Sequence, residues 1–165
     1  MTGEIDALAR RLGELALKKH AVIATAESCT AGGIAFAVTD VSGSSAWFDR
    51  GFVTYTNESK QEMIGVREAT LRAYGAVSVQ TAGEMVRGAM ELSRATHAVA
   101  VTGIAGPTGG VPGKPVGTVC FGFAMRTDDG IDVQTETRWF DGDRSGVRQA
   151  TVAHALRRLC ELMAN

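Results

Sequence analysis

The sequence predicts a three-layer α/β/α sandwich with a mixed, mostly parallel sheet. Short apolar segments with strand character alternate with segments of helical periodicity along most of the chain. Two later apolar segments flank Thr127-Asp128-Asp129-Gly130, a turn sequence typical of an antiparallel hairpin. Strands that alternate with helices favour a parallel sheet covered on both faces, and the hairpin adds an antiparallel part. At 165 residues the chain predicts a single domain, spanning residues 1–165.

The first half of the chain begins with an amphipathic helix. Ile5, Leu8, Leu12 and Leu15 recur at helical spacing, with charged residues on the opposite side. A short apolar run then predicts the first strand, and the small residues after it predict a turn into a second helix. The expected elements are a helix over 3–19, a strand at about 21–26, a helix through the thirties, a loop at 42–45 and a strand at 51–55.

The second half continues the alternation and closes with the hairpin. The expected elements are helices over 58–65, 67–74 and about 80–94, a strand over 97–101, a glycine-rich loop over 103–113, and strands over 116–124 and 131–140. Asp143 can cap the final helix because a carboxylate accepts the unpaired amides of a first turn.

Composition excludes several function classes. The formal net charge is −1 without a concentrated Lys/Arg patch, so we expect no nucleic-acid binding. No apolar run reaches transmembrane length, so no membrane association is expected. The three cysteines, Cys29, Cys120 and Cys160, form no CxxC pair, which argues against a zinc site or a disulfide framework. A reducing, cytoplasmic location is therefore expected.

The turn after the first strand contains three possible nucleophiles, Ser28, Cys29 and Thr30. A strand that breaks into a helix through small residues exposes side chains and backbone amides at a sheet end, where open α/β folds place their sites. Adjacent residues of an extended chain point to opposite faces, so we expect Ser28 and Cys29 not to face the same pocket. Burial as a small apolar residue is the commoner fate of a free cysteine.

A serine nucleophile needs a base, and the histidines are poorly placed for that role. His20 precedes the first strand, His97 begins the third, and His154 lies opposite the apolar stripe of the last helix, where we expect it to be solvated. Each histidine is therefore interpreted as structural, and a Ser/His triad is not expected.

Lys60 is the alternative base. Asn57 or Ser59 could cap its helix, and Ser59 with Glu62 would form a capping box. Either choice places Lys60 in the first turn, where the helix dipole disfavours a positive charge and lowers the lysine pKa. From this segment alone a surface lysine at a frayed helix start is the favoured interpretation, and the nearby Tyr55 hydroxyl could simply point to water.

Two further segments could bind an anion. The loop from Thr102 to Gly110 follows an apolar strand, so its amides could cradle a phosphate, although it matches neither a Walker A loop nor GxGxxG. Arg144 stands at a helix start, where its guanidinium could bind phosphate. A structural loop and an exposed capping turn are the alternatives. The carboxylates and histidines show no metal-ligand spacing.

Taken together, these segments resemble the CinA C-terminal-domain family, and specifically its stand-alone nicotinamide mononucleotide (NMN) deamidases. The resemblance runs in order from about residue 20 to the end of the chain. Its motifs are AESCT at 26–30, GSSAWF at 43–48, GFVTYTNESK at 51–60, GAVS at 75–78, TGIAGP at 102–107, KPVGTV at 114–119 and GDR at 142–144.

The resemblance implies a fold like the anticodon-binding-domain class and hydrolysis of the NMN carboxamide to nicotinic acid mononucleotide and ammonia, in pyridine-nucleotide recycling. It implies no metal and no cofactor, and a homo-oligomer, most simply a dimer. The family's serine, tyrosine and lysine fall on Ser28, Tyr55 and Lys60. Lys60, acting directly or through the Tyr55 hydroxyl, would take the proton of Ser28.

A mechanism built on these three residues also predicts substrate contacts. Amides near Thr30, Ala31 and Gly32 would hold the oxyanion, and Arg144 with the 102–106 loop would hold the phosphate. The expected binding residues are Thr30, Ala31, Gly32, Thr102, Gly103, Ala105, Gly106 and Arg144. Ala31 stands where the family usually has glycine, and its methyl group could shift an oxyanion donor.

Two other functions stay open from the sequence. One is a non-catalytic nucleotide-binding or partner module in competence or the DNA-damage response. The other is an amidase for a related nicotinamide compound, such as free nicotinamide.

Overall fold

A single five-stranded sheet forms the middle layer of the computed structural model, which describes residues 3–165. The strands are β1 (Ile23–Glu27), β2 (Phe48–Val53), β3 (His97–Gly103), β4 (Thr118–Thr127) and β5 (Gly130–Trp139). Their order across the sheet is β2-β1-β3-β4-β5. The β2-β1 and β1-β3 pairs are parallel, whereas β3-β4 and β4-β5 are antiparallel. The expected mixed sheet is confirmed, with a parallel part that is smaller than expected because it ends at β3.

Within residues 3–165, six α-helices cover the two faces of the sheet. They are α1 (Gly3–Lys19), α2 (Gly33–Thr39), α3 (Asn57–Ile64), α4 (Glu68–Tyr74), α5 (Val79–Glu91) and α6 (Arg144–Ala164), with a short 3-10 helix at Ser44–Ala46. One core cluster joins α1, α2 and α6 to one face, and a second joins α3, α4 and α5 to the other. The expected three-layer sandwich is therefore confirmed.

Alternating side chains of the central strands supply the two cores. Ile23, Val99 and Phe121 pack in the α1/α2/α6 core, whereas Ala24 and Ala98 pack in the α3/α4/α5 core. Every residue of β1 is buried, because the strand lies between two neighbours and under two helical layers. Within the described residues, no helix is both long and apolar enough to cross a membrane.

The amino end of α3 differs from both capping interpretations. Thr56 is the N-cap, and its Oγ1 accepts from the Ser59 amide at 3.0 Å. Ser59 Oγ accepts in return from the Thr56 amide at 3.0 Å, completing a Thr56–Ser59 capping box. The predicted caps at Asn57 and Ser59 are therefore wrong, because the Thr56 hydroxyl satisfies the first amides one residue earlier. The Lys60 amide makes the first bond of the helix, to the Thr56 carbonyl.

His154 is half-buried rather than solvated, contrary to expectation. Its side chain is 13% exposed, and its ring centroid lies 4.7 Å from that of Phe121 on β4. Its Nε2 lies 2.8 Å from Glu136 Oε1 on β5. The helical pattern alone could not show that the hairpin would cover this side of α6. His20 and His97 lie at the amino ends of β1 and β3, away from the site described below.

The carboxyl ends of β1, β2 and β3 meet at one edge of the sheet. Glu27 of β1 pairs with Val53 of β2 and with Val101 of β3, near the end of each strand. The segments that leave these strands therefore begin side by side, as expected of parallel strands in an open α/β sheet. They carry Ser28, Tyr55 and the loop after Gly103.

Candidate active site

Lys60 and Ser28 meet directly at this edge. Lys60 Nζ donates to Ser28 Oγ at 2.9 Å, to the Thr54 carbonyl at 2.9 Å and to the Tyr55 carbonyl at 3.3 Å. Lys60 is 1% exposed and Ser28 is 8% exposed. The three acceptors fix the amine at the serine hydroxyl, so the surface-lysine interpretation is wrong. The side chain reaches inward because α3 starts directly after β2, against the Ser28 turn.

The surroundings of Lys60 favour its neutral form. Burial lowers the pKa of Lys60 to about 8, and the cysteine beside it opposes that shift. The acceptors of its Nζ are a hydroxyl and two backbone carbonyls, which bear no formal negative charge. The cause is therefore desolvation rather than the helix dipole invoked from the sequence. An amine that loses its proton near neutral pH can accept the proton of a serine.

Cys29 is a poor rival nucleophile. Burial raises the pKa of its thiol to about 12, so the reactive thiolate is scarce. The expectation that Ser28 and Cys29 face different pockets is wrong, because both line one cavity. That expectation assumed an extended chain, whereas β1 ends at Glu27 and the backbone turns at Ser28.

This Ser28 cavity, about 270 Å³ in volume, also collects most of the expected binding residues. Its lining includes Ser28, Cys29, Tyr55, Lys60, Thr102, Gly103, Ala105, Gly106 and Arg144. A second concavity of about 660 Å³ shares Ala105 and Arg144 with it and extends along the start of α6. Thr30, Ala31 and Gly32 instead line a third cavity of about 480 Å³, which is also bordered by residues of α2 and α6.

The Tyr55 hydroxyl points to Arg144 and not to Lys60. Arg144 donates to the Tyr55 hydroxyl at 2.9 Å and to the Gly106 carbonyl at 2.8 Å. Tyr55 contacts Lys60 only through its backbone carbonyl. A proton relay through the Tyr55 hydroxyl is therefore not required by this geometry. The arginine instead links the Tyr55 segment to the loop after β3, across the cavity.

Glu27 is a site residue that the sequence analysis missed. Its buried carboxylate accepts from Thr30 Oγ1 at 2.6 Å, from the Ile34 amide at 2.8 Å and from the Ala35 amide at 3.0 Å. The last two amides belong to the first turn of α2, whose dipole favours a negative charge. Glu27 thus fixes the turn at its α2 side. The sequence signal that could have identified Glu27 was an acidic residue placed just before a turn of small residues and a helix.

Ala31 occupies a left-handed backbone conformation, with φ of +48°. Its amide donates to the Ser28 carbonyl at 3.0 Å and is therefore already paired. The expected oxyanion donor at Ala31 is contradicted by this bond. In the part of the chain that the structure describes, the Cys29, Thr30 and Gly32 amides of the same turn have no protein acceptor. They are the amides available to a ligand.

The described residues contain no group of three or more His, Cys, Asp or Glu side chains that could hold a metal ion. The chemistry that this site can supply is that of a buried hydroxyl, an amine with a lowered pKa, unpaired amides and a guanidinium. That set suits nucleophilic attack on a carbonyl carbon of a substrate that also carries an anionic group.

Comparisons with known proteins point to the same chemistry. The model of the CinA C-terminal domain family matches residues 5–163. The chain is 50% identical over 156 residues to the nicotinamide-nucleotide amidohydrolase PncC of Escherichia coli K12, covering 94% of this chain and 93% of that one. The PncC of Pseudomonas putida is 52% identical over 158 residues, with 96% of each chain covered.

A solved structure has the same fold. The competence/damage inducible protein CihA from Agrobacterium tumefaciens is 48% identical and superimposes with a TM-score of 0.93. The match covers 100% of this chain and 98% of that one.

Proposed function

The chain belongs to the CinA C-terminal domain family, and from that premise we propose that it hydrolyses the carboxamide of NMN. The products are nicotinic acid mononucleotide and ammonia. The relatives named nicotinamide-nucleotide amidohydrolase, about half identical over nearly their full length, support the substrate class. The observation that carries the proposal is the 2.9 Å contact between Lys60 Nζ and Ser28 Oγ in a buried site.

Acylation uses Ser28 as nucleophile and Lys60 as base. Ser28 Oγ attacks the carboxamide carbon while neutral Lys60 takes the hydroxyl proton. The negative charge that develops on the carboxamide oxygen is held by unpaired amides of the Ser28 turn, and losing one such donor typically costs about 3 kcal/mol of transition-state stabilisation. Protonated Lys60 then donates its proton to the departing amine, which leaves as ammonia.

Deacylation uses the same groups in reverse. Water enters where ammonia has left, and neutral Lys60 takes a proton from it. The resulting hydroxide attacks the ester carbon, the bond to Ser28 Oγ breaks, and Lys60 returns the proton to the serine. The net reaction adds one water to the carboxamide and releases a carboxylic acid and ammonia.

Arg144 is our candidate for the phosphate. Its guanidinium stands at the boundary between the Ser28 cavity and the 660 Å³ concavity. Among the described residues, the amides of Ala105 and Gly106 beside it have no protein acceptor. A nicotinamide ring at Ser28 would therefore extend its ribose phosphate toward a charged donor and free amides, which is a favourable arrangement for an anion.

The direct test is ammonia release from NMN by wild type, Ser28→Ala and Cys29→Ala. We expect Ser28→Ala to lose activity by several orders of magnitude while circular dichroism shows the native fold. Cys29→Ala should keep most of the activity, because a protonated thiol contributes no nucleophile. Turnover retained by Ser28→Ala would refute the scheme, and loss of activity in Cys29→Ala alone would move the nucleophile to the cysteine.

The rates of ammonia release from NMN and from free nicotinamide test whether the enzyme recognises the phosphate. An active site in which Arg144 binds the phosphate should hydrolyse NMN but not free nicotinamide. Arg144→Gln should raise KM for NMN by at least ~10-fold. Equal turnover of both compounds would indicate an amidase that does not use the phosphate. Release of ammonia from neither compound, together with binding of single-stranded DNA, would favour the non-catalytic module.

A further inference from the structure

Arg148 donates hydrogen bonds to the backbone of the Ser28 turn. It lies on α6, and its Nε donates to the Cys29 carbonyl at 3.0 Å. Its Nη2 donates to the Thr30 carbonyl at 3.4 Å. Arg148 lines the 480 Å³ cavity and the 660 Å³ concavity but not the Ser28 cavity. Its side chain thus reaches the turn from α6.

The bond from Arg148 to the Cys29 carbonyl restricts the orientation of the Thr30 amide. In a planar trans peptide the N–H points opposite to the C=O, so the Cys29 carbonyl and the Thr30 amide face opposite sides of the turn. Arg148 binds the Cys29 carbonyl, so the Thr30 amide points away from Arg148. This amide has no protein acceptor in the part of the chain that the structure describes.

Glu27 also fixes Thr30, through the threonine side chain. Thr30 Oγ1 donates to the Glu27 carboxylate at 2.6 Å, which fixes the Thr30 side chain. Arg148 then fixes the peptide plane before Thr30. A guanidinium suits this task because its donors are planar and always charged, so the bond persists over the working pH range.

We propose that Arg148 is a positioning residue that orients the Thr30 amide as an oxyanion donor beside Ser28. This inference rests on the proposed amide hydrolysis, which supplies the oxyanion. Arg148 touches neither the substrate nor the reacting atoms. It acts through the Cys29–Thr30 peptide, and its contribution is therefore largest in the transition state, when negative charge reaches the substrate oxygen.

Kinetics of Arg148→Gln, Arg148→Lys and Arg157→Gln test the proposal. Arg157 lies on the same helix and pairs with Glu4, so it is the matched control and should keep wild-type rates. Misplacing a transition-state group by about 1 Å can cost roughly 100-fold, so we expect a kcat loss of that size in Arg148→Gln with KM nearly unchanged. Arg148→Lys, which restores one donor, should recover part of the loss. The pH of half-maximal rate should not move, because Arg148 does not contact Lys60.

A sulfur substitution separates positioning from general loss of structure. Sulfur is a weak hydrogen-bond acceptor, so the thioamide analogue of NMN should react much more slowly than NMN in the wild type. If Arg148 orients the oxyanion donor, this oxygen-to-sulfur penalty should nearly disappear in Arg148→Gln, because both changes remove one interaction. An undiminished sulfur penalty, or a wild-type kcat in the folded Arg148→Gln protein, would overturn the proposal.

A serine-directed fluorophosphonate makes the test independent of NMN. Ser28 Oγ would bond to phosphorus, fluoride would leave, and Lys60 would take the proton, while the phosphoryl oxygen occupies the oxyanion position. Mass spectrometry should show labelling of the wild type, none of Ser28→Ala, and about 100-fold slower labelling of Arg148→Gln. Labelling without NMN turnover would refute the substrate and leave the positioning role standing. Equal labelling rates for Arg148→Gln and wild type would refute the positioning role.

Discussion

At the scale of single residues, the protonation of Lys60 controls the proposed chemistry. Its amine must be neutral to accept the Ser28 proton, and burial lowers its pKa to about 8. The reactive fraction therefore rises as the pH rises, and at pH 7 only about one lysine in ten is neutral. The protonated amine donates to all three acceptors, whereas the neutral amine can donate to the Thr54 and Tyr55 carbonyls and accept from the Ser28 hydroxyl, so these groups hold it in place in either protonation state.

We therefore expect kcat/KM for NMN to rise about tenfold per pH unit below a midpoint near pH 8 and to level off above it. Lys60→Met should lower kcat by at least ~100-fold because the general base is lost. Lys18→Met, at an exposed position on α1, is the control and should follow the wild-type profile. A midpoint near 6 in the wild type would assign the titration to another group.

Ala31 supports a second prediction at this scale. Its φ of +48° places the backbone in the left-handed region, where the Cβ atom of an L-residue causes strain. Glycine removes that strain, so Ala31→Gly should raise the free energy of unfolding by about 1 kcal/mol, measured by urea denaturation. Ala31→Val should lower it by more than that, because a β-branched residue fits this region worse. A stabilised valine variant would contradict the assigned backbone conformation.

At the scale of elements, the contact between α3 and α5 determines where Lys60 can lie. The two helices cross at Gly88, where a Cβ atom would collide with the backbone carbonyl of Ile64 at the end of α3. Lys60 lies one turn earlier on the same helix. Glycine at this crossing allows the backbones to touch, so α3 can sit close enough for its lysine to reach Ser28.

Gly88→Ala should therefore damage both stability and activity. Overpacking of this kind costs roughly 1–3 kcal/mol, and the displaced α3 would carry Lys60 away from Ser28. We expect a lower urea midpoint and a kcat reduced by about 10-fold or more, measured where the variant is fully folded.

Gly83→Ala on the same helix is the matched control for that experiment. Its Cβ would make ordinary contact at 3.4 Å with Thr135, so the better helix propensity of alanine should raise stability by up to about 1 kcal/mol. Unchanged kcat in folded Gly88→Ala would show that α3 can shift without moving the amine.

At the scale of the whole molecule, acid should weaken the fold in two steps. Burial lowers the pKa of His97, so below about pH 6.5 the unfolded chain takes up a proton there that the folded chain resists. Although burial raises the carboxyl pKa of Glu84 and Glu136, hydrogen bonds from Arg67 and His154 more than offset it, and both pKa values are lowered. Stability from these two carboxylates is lost below about pH 4.5, as they become protonated in the folded state.

Urea midpoints measured at pH 7, 5.5 and 4 should therefore decrease in that order. His97→Gln should reduce the decrease between pH 7 and 5.5, because its side chain does not titrate. His20→Asn, at an exposed position where asparagine tolerates the positive φ, should behave as wild type. If the urea midpoint of His97→Gln decreased between pH 7 and 5.5 as much as that of the wild type, the first step would belong to another group.

The elements themselves were largely predictable because their signals are local. The apolar spacing of α1, the Thr127–Gly130 turn and the Asp143 cap each depend on a few neighbouring residues, and all three are present. Boundaries were less predictable: β2 begins at Phe48, before the expected strand, and ends before Tyr55. Strand ends depend on pairing with β1, which the local sequence does not encode.

The sequence by itself determined the alternation of strands and helices and the turn of small residues at Ser28, and its family resemblance predicted the roles of Ser28 and Lys60. Only the tertiary structure decided that Lys60 is buried against Ser28, that the Tyr55 hydroxyl pairs with Arg144, and that Glu27 and Arg148 secure the turn. Periodicity, capping and turn chemistry act between residues a few positions apart. The contact of Lys60 with Ser28 and the bonds of Arg148 to the Cys29 and Thr30 carbonyls instead join residues 32 and 118–119 positions apart in the chain, and folding alone brings these groups together.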